Sequence, residues 1–274
     1  MDHKGARPFG FWMATALVVG GMIGSGIFVL PAQLASFGAT GAAAWFVAVG
    51  GALLLGWVLA RLTAAHPGAT GMVAICGAAL GPLPGLLVGW SYWVGVWSAN
   101  AIIAITAVRY LSVFVPGLAA TPLHSAVAAT ALVWLLTLLN LNGARAAGRF
   151  QVVTTALKLL PLLAVVAILA GLALAGGKQF GATPHAAFSS TALTPALTLA
   201  FYALVGFESA SVAAERVRDP ARTIVRATMA GLVLTGVLYL IVCSGIVYAL
   251  PEGVAEHATA PVSLFVQTFW GRGA

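Results

Sequence analysis

Long apolar runs separated by short breaks of polar, glycine and proline residues set the pattern of this chain. Seven stretches are of about the length and apolarity needed to cross a bilayer as helix. They run near Phe11–Ala35, Gly41–Leu62, Leu83–Val115, His124–Asn140, Val152–Ala175, Ala192–Ala214 and Ile224–Leu250. None has the alternating pattern of a membrane β-barrel strand, and a helix satisfies its own backbone in hydrocarbon. The punctuation agrees: His66–Pro67–Gly68, Gly81–Pro82–Leu83–Pro84–Gly85, Pro116–Gly117, Asn142–Gly143 and Gly176–Gly177 are turn or helix-stop signals. The pattern predicts an all-α membrane protein with about seven transmembrane helices. The first run is too long for a signal-peptide core and has no small-residue cleavage site after it, so it reads as a retained span. Pro261–Trp270 is mildly amphipathic and too short to cross.

Composition narrows the function classes. Of 274 residues, 61% are hydrophobic and 7% charged, the latter being 13 basic and 6 acidic residues. An average soluble domain carries about 25% charged residues. A soluble enzyme, a disordered chain and a nucleic-acid binder are excluded as leading readings. The net charge of +7 fits basic loops on the anionic side of a membrane. Two cysteines, Cys76 and Cys243, imply no disulfide framework. The histidines at 3, 66, 124, 185 and 257 lack metal-ligand spacing, and no phosphate-binding loop is present. No enzyme activity, cofactor or metal is therefore expected.

Lys and Arg set the orientation. With the N-terminus in the cytoplasm, the inner loops hold Lys4, Arg7, Arg61, Arg145, Arg149, Arg216, Arg218, Arg222 and Arg226, and the outer side holds Lys178 and Arg272. Arg109 and Lys158 fall within or at the edge of spans. The bias predicts the N-terminus inside and Pro251–Ala274 outside.

Several residues are out of place in hydrocarbon. Span 1 carries Gly20–Gly21–Met22–Ile23–Gly24–Ser25–Gly26–Ile27–Phe28, and each glycine weakens a helix by about 1 kcal/mol. Small residues also serve close helix packing. The sharper expectation is a broken helix whose opened N–H groups near Ser25 and Gly26 hold a carboxylate at the positive end of the second half. In span 6, Glu208 follows Gly206 inside an apolar run. A lone carboxylate there costs several kcal/mol unless paired or protonated, so Glu208 should face a cavity and can exchange protons, or else bond a neighbouring helix. Lys158 in span 5 either snorkels or turns into the bundle. In span 3, Trp93, Trp97 and Asn100 share one helical face and line a cavity or pack against a neighbour. Arg109 is expected to reach the interface. Breaks in spans 1 and 6 lie five spans apart, the placement expected for corresponding helices of an inverted repeat.

These motifs resemble the amino acid–polyamine–organocation (APC) superfamily of amino acid permeases. Gly20 to Pro31 resembles its first-helix motif. Leu139–Asn140–Leu141–Asn142–Gly143, Arg149–Phe150–Gln151 and Lys158–Leu159–Leu160–Pro161 resemble its fourth-to-fifth helix region. Gly206–Phe207–Glu208–Ser209 and Glu215 to Arg222 resemble its sixth helix and the loop after it. The resemblance implies a leucine-transporter-like inverted-repeat fold with discontinuous helices 1 and 6. It implies a cytoplasmic N-terminus over 1–8 and a membrane domain over 9–250, with a first repeat at about 9–176 and the start of a second at about 190–250. The remainder, 251–274, is an external loop remnant. It implies that Ser25 and Gly26 bind a substrate carboxylate, that carbonyls of Met22, Tyr202 and Val205 take the amine, and that Asn100 reads the side chain, with Trp97 on the same face as a further substrate contact. Asn100 and Glu208–Ser209–Ala210–Ser211–Val212 resemble arginine/agmatine antiporters. Lys158 instead resembles sodium-independent permeases, where a lysine amine stands in for sodium. Lys158 and Glu208 then carry proton coupling or exchange.

The implied partners are an amino acid or related amine and the lipid bilayer, with a homodimer as a candidate assembly and no nucleic acid. The implied location is a bacterial-type inner membrane. The family has roughly twelve spans with a ten-helix core, so this chain reads as its N-terminal portion, truncated before the eighth helix. A seven-helix receptor or retinal-type protein is the competing reading. It matches the span count, but it requires an external N-terminus, and Ile224–Leu250 has no lysine for a Schiff base. A membrane fragment that transports nothing alone is a third.

Overall fold

A computed structural model describes residues 10–66, 71–141, 144–178, 180, 186–208, 217 and 219–271. The elements are helices: α1 Phe11–Met22, α2 Gly26–Ala35, α3 Gly38–Ala65, α4 Gly71–Leu80, α5 Pro82–Leu111, a 3-10 turn Pro116–Ala119, α6 Pro122–Leu141, α7 Ala144–Leu174, α8 Ser190–Leu204, α9 Pro220–Ala249, α10 Glu252–Glu256 and α11 Pro261–Trp270.

Five stretches are long and apolar enough to cross a membrane: Gly38–Ala65, Pro82–Leu111, Pro122–Leu141, Ala156–Leu174 and Arg222–Ala249. Helices α1 and α2 together make a sixth candidate, bent by 44° at the break between them. The sixth predicted span, Ala192–Ala214, corresponds to the 15-residue α8 followed by a turn. Its last part, 209–214, lies outside the described residues. One element was not anticipated. The segment between spans 2 and 3 reads as a loop in sequence, yet Gly71–Leu80 is helical. Ten apolar residues between turn signals are too few to register as a span, but enough for three turns of helix.

The surface fits lipid rather than water. Trp12, Phe114 and Leu174 are each more than 80% exposed. Polar side chains fold back on their own helices: the hydroxyls of Thr15, Thr63, Thr106 and Thr137 donate to the carbonyls of Phe11, Leu59, Ile102 and Val133, each four residues earlier. That return bond is what a lone hydroxyl finds in an apolar helix.

The chain divides into two compact units. The first comprises 1–24, 43–97 and 197–238. Glycines set its packing. A Cβ on Gly231 of α9 would stand 2.6 Å from Val18 Cγ1 of α1, and one on Gly236 would stand 2.9 Å from Val49 Cγ1 of α3. Gly51 receives the Phe201 ring and Gly56 receives Leu232. Hydrophobic drive between helices is weak in lipid, so close backbone approach through small residues supplies the packing energy. Val18, Trp45, Ala48, Ala52 and Leu232 are buried among these contacts.

The second unit comprises 25–42, 98–196 and 239–274. In it α2 packs against α10 and α11, and α7 against α6 and α11. Tyr110 of α5 clasps α2: its hydroxyl donates to the Phe28 carbonyl at 2.7 Å, and the two rings meet edge to face at 5.6 Å. The corner after α2 is tied by Ala39 N–H to Ala186 O (3.0 Å) and by Ser189 N–H to Thr40 Oγ1 (2.9 Å). Helix α11 covers the predicted Pro261–Trp270 segment and buries Pro261, Val262 and Phe265. Burial of one helical face explains why ten residues stay folded without crossing.

Candidate functional site

The break in the first span is local in origin. Gly20 and Gly21 weaken the last turn of α1, and Ile23 leaves the helical region at φ −73°, ψ 83°. There the Gly24 N–H turns back to the Met22 carbonyl at 2.8 Å, an inverse γ-turn in place of a helical bond. Ser25 returns to helical angles and α2 starts at Gly26. The Phe28 and Val29 N–H groups both reach the Ser25 carbonyl at 3.1 Å. The first N–H groups of α2 therefore point toward the break without a helical acceptor. Ser25 is buried and its hydroxyl makes no capping bond to its own helix. Pro31 inside α2 withdraws one donor more, leaving the Ile27 carbonyl outside the helical ladder.

A tight turn follows α8. Val205 to Glu208 form a turn, with Gly206 at φ +115°, a conformation only glycine adopts without strain. The Glu208 carboxylate accepts the Gly206 N–H at 3.0 Å. A Cβ on Gly206 would lie 2.5 Å from the Gly21 carbonyl oxygen and 3.0 Å from the Met22 nitrogen. Backbone therefore meets backbone: inside the first unit, the turn after α8 rests on the last turn of α1.

The predicted site residues distribute as follows. Met22, Tyr202, Val205 and Glu208 belong to the first unit, at or beside this contact. Met22 is buried, Tyr202 and Glu208 half-buried, and Val205 61% exposed. Trp97 also belongs to the first unit, in a run of rings. Trp90 and Trp93 are 5.3 Å apart and Trp93 and Trp97 6.4 Å apart. Trp97 is 54% exposed, so its face is uncovered. Ser25, Gly26, Asn100 and Lys158 belong to the second unit. Ser25 and Gly26 are buried, Asn100 is exposed and Lys158 half-buried on α7. Of the motif residues, Asn142, Gly143 and Ser209 to Arg216 lie outside the described residues, as do Arg218 and residues 1–8.

Two features escaped the sequence reading. Tyr110 holds α2 through the Phe28 carbonyl, and no local pattern signals a bond between residues so distant in sequence. Nor did anything identify Gly21 as the surface under Gly206. Among the described residues no group of three His, Cys, Asp or Glu side chains gathers to hold a metal.

Known proteins similar in sequence are transporters. The chain is 34% identical over 276 residues to the cadaverine/lysine antiporter of Escherichia coli strain K12, covering 98% of this chain and 60% of that protein. It is 27% identical over 277 residues to the putrescine transporter PotE of the same strain, covering 98% and 61%. To the putrescine transporter PotE of Haemophilus influenzae it is 28% identical over 266 residues, covering 94% and 59%. The chain thus spans about 60% of the length of these relatives, which are transporters and not enzymes. The amino acid permease family profile matches residues 9–274, which take in the break after α1, the turn after α8 and every candidate span. A multi-pass integral membrane protein by its helices, this chain belongs to the amino acid permease family of APC type.

Proposed function

We propose that this chain contributes the substrate-holding part of a transporter that exchanges a basic amino acid for its diamine, or takes it up with protons, by alternating access. The carrying observation is the contact between the turn after α8 and the last turn of α1, with Gly206 resting on the Gly21 carbonyl. Half-helix ends that meet at mid-membrane offer both signs of partial charge at one place. The N–H groups at Ser25 and Gly26 take the carboxylate. Carbonyls of Met22, Tyr202 and Val205 take the amine, and Trp97 with Asn100 reads the side chain. The substrate class is supported by relatives named for cadaverine with lysine and for putrescine.

Glu208 is the proton-exchanging group in this reading. Its carboxylate already caps the turn at Gly206, so a change of its charge acts directly on that turn. Lys158 supplies a fixed ammonium in place of sodium. The N-terminus lies inside, by the excess of Lys and Arg on that side. The bacterial inner membrane is the proposed location, and a homodimer the candidate assembly.

Counterflow tests the reading. Vesicles holding this chain and preloaded with cadaverine are expected to accumulate labelled lysine above the level of empty vesicles. Accumulation equal to that of empty vesicles contradicts it.

A further inference from the structure

The second unit contains a cavity of about 210 Å³ along α2, lined by none of the residues from Met22 to Gly26 at the break. It is lined by Gln33 and Ser36 on α2, Arg109 in the last turn of α5, and Glu256, Thr259 and Pro261 around α10 and α11. The volume suits an amino acid or a few waters, not a large ligand. Its two charges are opposite in sign. Among the described residues neither side chain is bonded to another: the bond recorded at Arg109 is from Ser112 Oγ to its backbone carbonyl (2.7 Å). An arginine and a glutamate that face one small cavity without closing on each other leave both charges available to a ligand.

We propose that this cavity is a second binding site, for the zwitterionic head of a free amino acid. The Arg109 guanidinium takes the carboxylate in a two-pronged bond, the geometry that arginine favours. The Glu256 carboxylate takes the ammonium. Gln33, Ser36 and Thr259 supply neutral hydrogen-bonding groups around the head. A diamine has no carboxylate for Arg109, so the site discriminates the amino acid from its decarboxylated product. Its rim is α10 and α11, which close over α2 in the same unit. With the N-terminus inside, this cavity opens to the outer side. That sidedness rests on the topology proposed above, whereas the binding does not.

Equilibrium binding of labelled lysine and labelled cadaverine to the chain in lipid nanodiscs tests it. Arg109→Gln is expected to weaken lysine binding by about tenfold or more while leaving cadaverine binding no weaker. Glu256→Gln is expected to weaken lysine binding as well. Exchanging the pair (Arg109→Glu with Glu256→Arg) is expected to restore lysine binding in part, because both charges remain. Ser25→Leu, which alters the broken helix and does not line this cavity, is expected to leave a lysine site that still responds to Arg109→Gln. The proposal is overturned if the unaltered chain binds no lysine, or if lysine affinity is the same in Arg109→Gln. It is also overturned if Arg109→Gln weakens lysine and cadaverine equally, the mark of a disturbed fold. Loss of all lysine binding in Ser25→Leu would assign that binding to the broken helix and overturn it too.

Discussion

The break after α1 and the turn after α8 leave the helix by different means. In the first, four glycines and a serine crowd into Gly20–Gly26, yet none of Gly20, Gly21, Gly24 or Gly26 has a positive φ. The chain leaves the helix at Ile23, closes one inverse γ-turn and is helical again by Gly26. Glycine is there for weak helix propensity and close approach. In the second, a single glycine carries the turn. Gly206 needs both its left-handed φ and its missing side chain, because the Gly21 carbonyl occupies the space of a Cβ. Redundancy protects the break, and geometry makes the turn brittle. The first is also the more hidden: Met22, Ser25 and Gly26 are buried while Val205 is 61% exposed.

The sharpest test of that contrast is Gly206→Ala. Backbone strain of about 1–3 kcal/mol adds to a clash with a carbonyl that cannot yield without moving α1. The expected loss exceeds about 3 kcal/mol, read as a large drop in thermal midpoint with no counterflow. Gly24→Ala in the same assay is the matched control and should shift stability by no more than about 1 kcal/mol. Equal losses in the two would erase the distinction drawn between the break and the turn.

Ser25→Leu comes next. The added bulk fills the space at the head of α2, and lysine counterflow should vanish in a protein that still purifies as a folded species. Unchanged lysine counterflow in that variant would move the carboxylate site elsewhere. Glu208→Gln has a subtler outcome. The amide oxygen still accepts the Gly206 N–H, so the turn persists and only the titration is lost. Counterflow should continue with a flattened pH profile, and an unaltered profile would remove Glu208 from coupling. The smallest effect belongs to Tyr110→Phe. It deletes the bond to the Phe28 carbonyl but keeps the edge-to-face rings, at a cost of about 1 kcal/mol in stability.

Much of this was legible in sequence because membrane helices announce themselves through length and apolarity. The first span, predicted at Phe11–Ala35, coincides with the outer ends of α1 and α2, and its glycine cluster marks the break. Gly206 beside Glu208 marked the turn after α8. Helix α4 was lost because ten apolar residues between Pro67–Gly68 and Gly81–Pro82 resemble a loop when the search is for spans. What no local pattern contains is pairing over distance. Gly206 on Gly21, Tyr110 on Phe28, and Arg109 sharing a cavity with Glu256 each join segments far apart in the chain. Arg109 shows the cost of reading one residue at a time. Alone it is a cation reaching the interface, and only the folded unit puts a carboxylate on the same cavity.

The most direct measurement is substrate protection at the turn after α8. In a background with Cys76 and Cys243 replaced, Val205→Cys places one accessible thiol beside Gly206, and Leu174→Cys places one on α7 as a reference. The rate of modification by a small thiol reagent is read with and without saturating lysine. If the meeting of this turn with the end of α1 holds the substrate, lysine slows modification at Val205→Cys and leaves Leu174→Cys unchanged. An unchanged rate at Val205→Cys, with lysine bound, would contradict it.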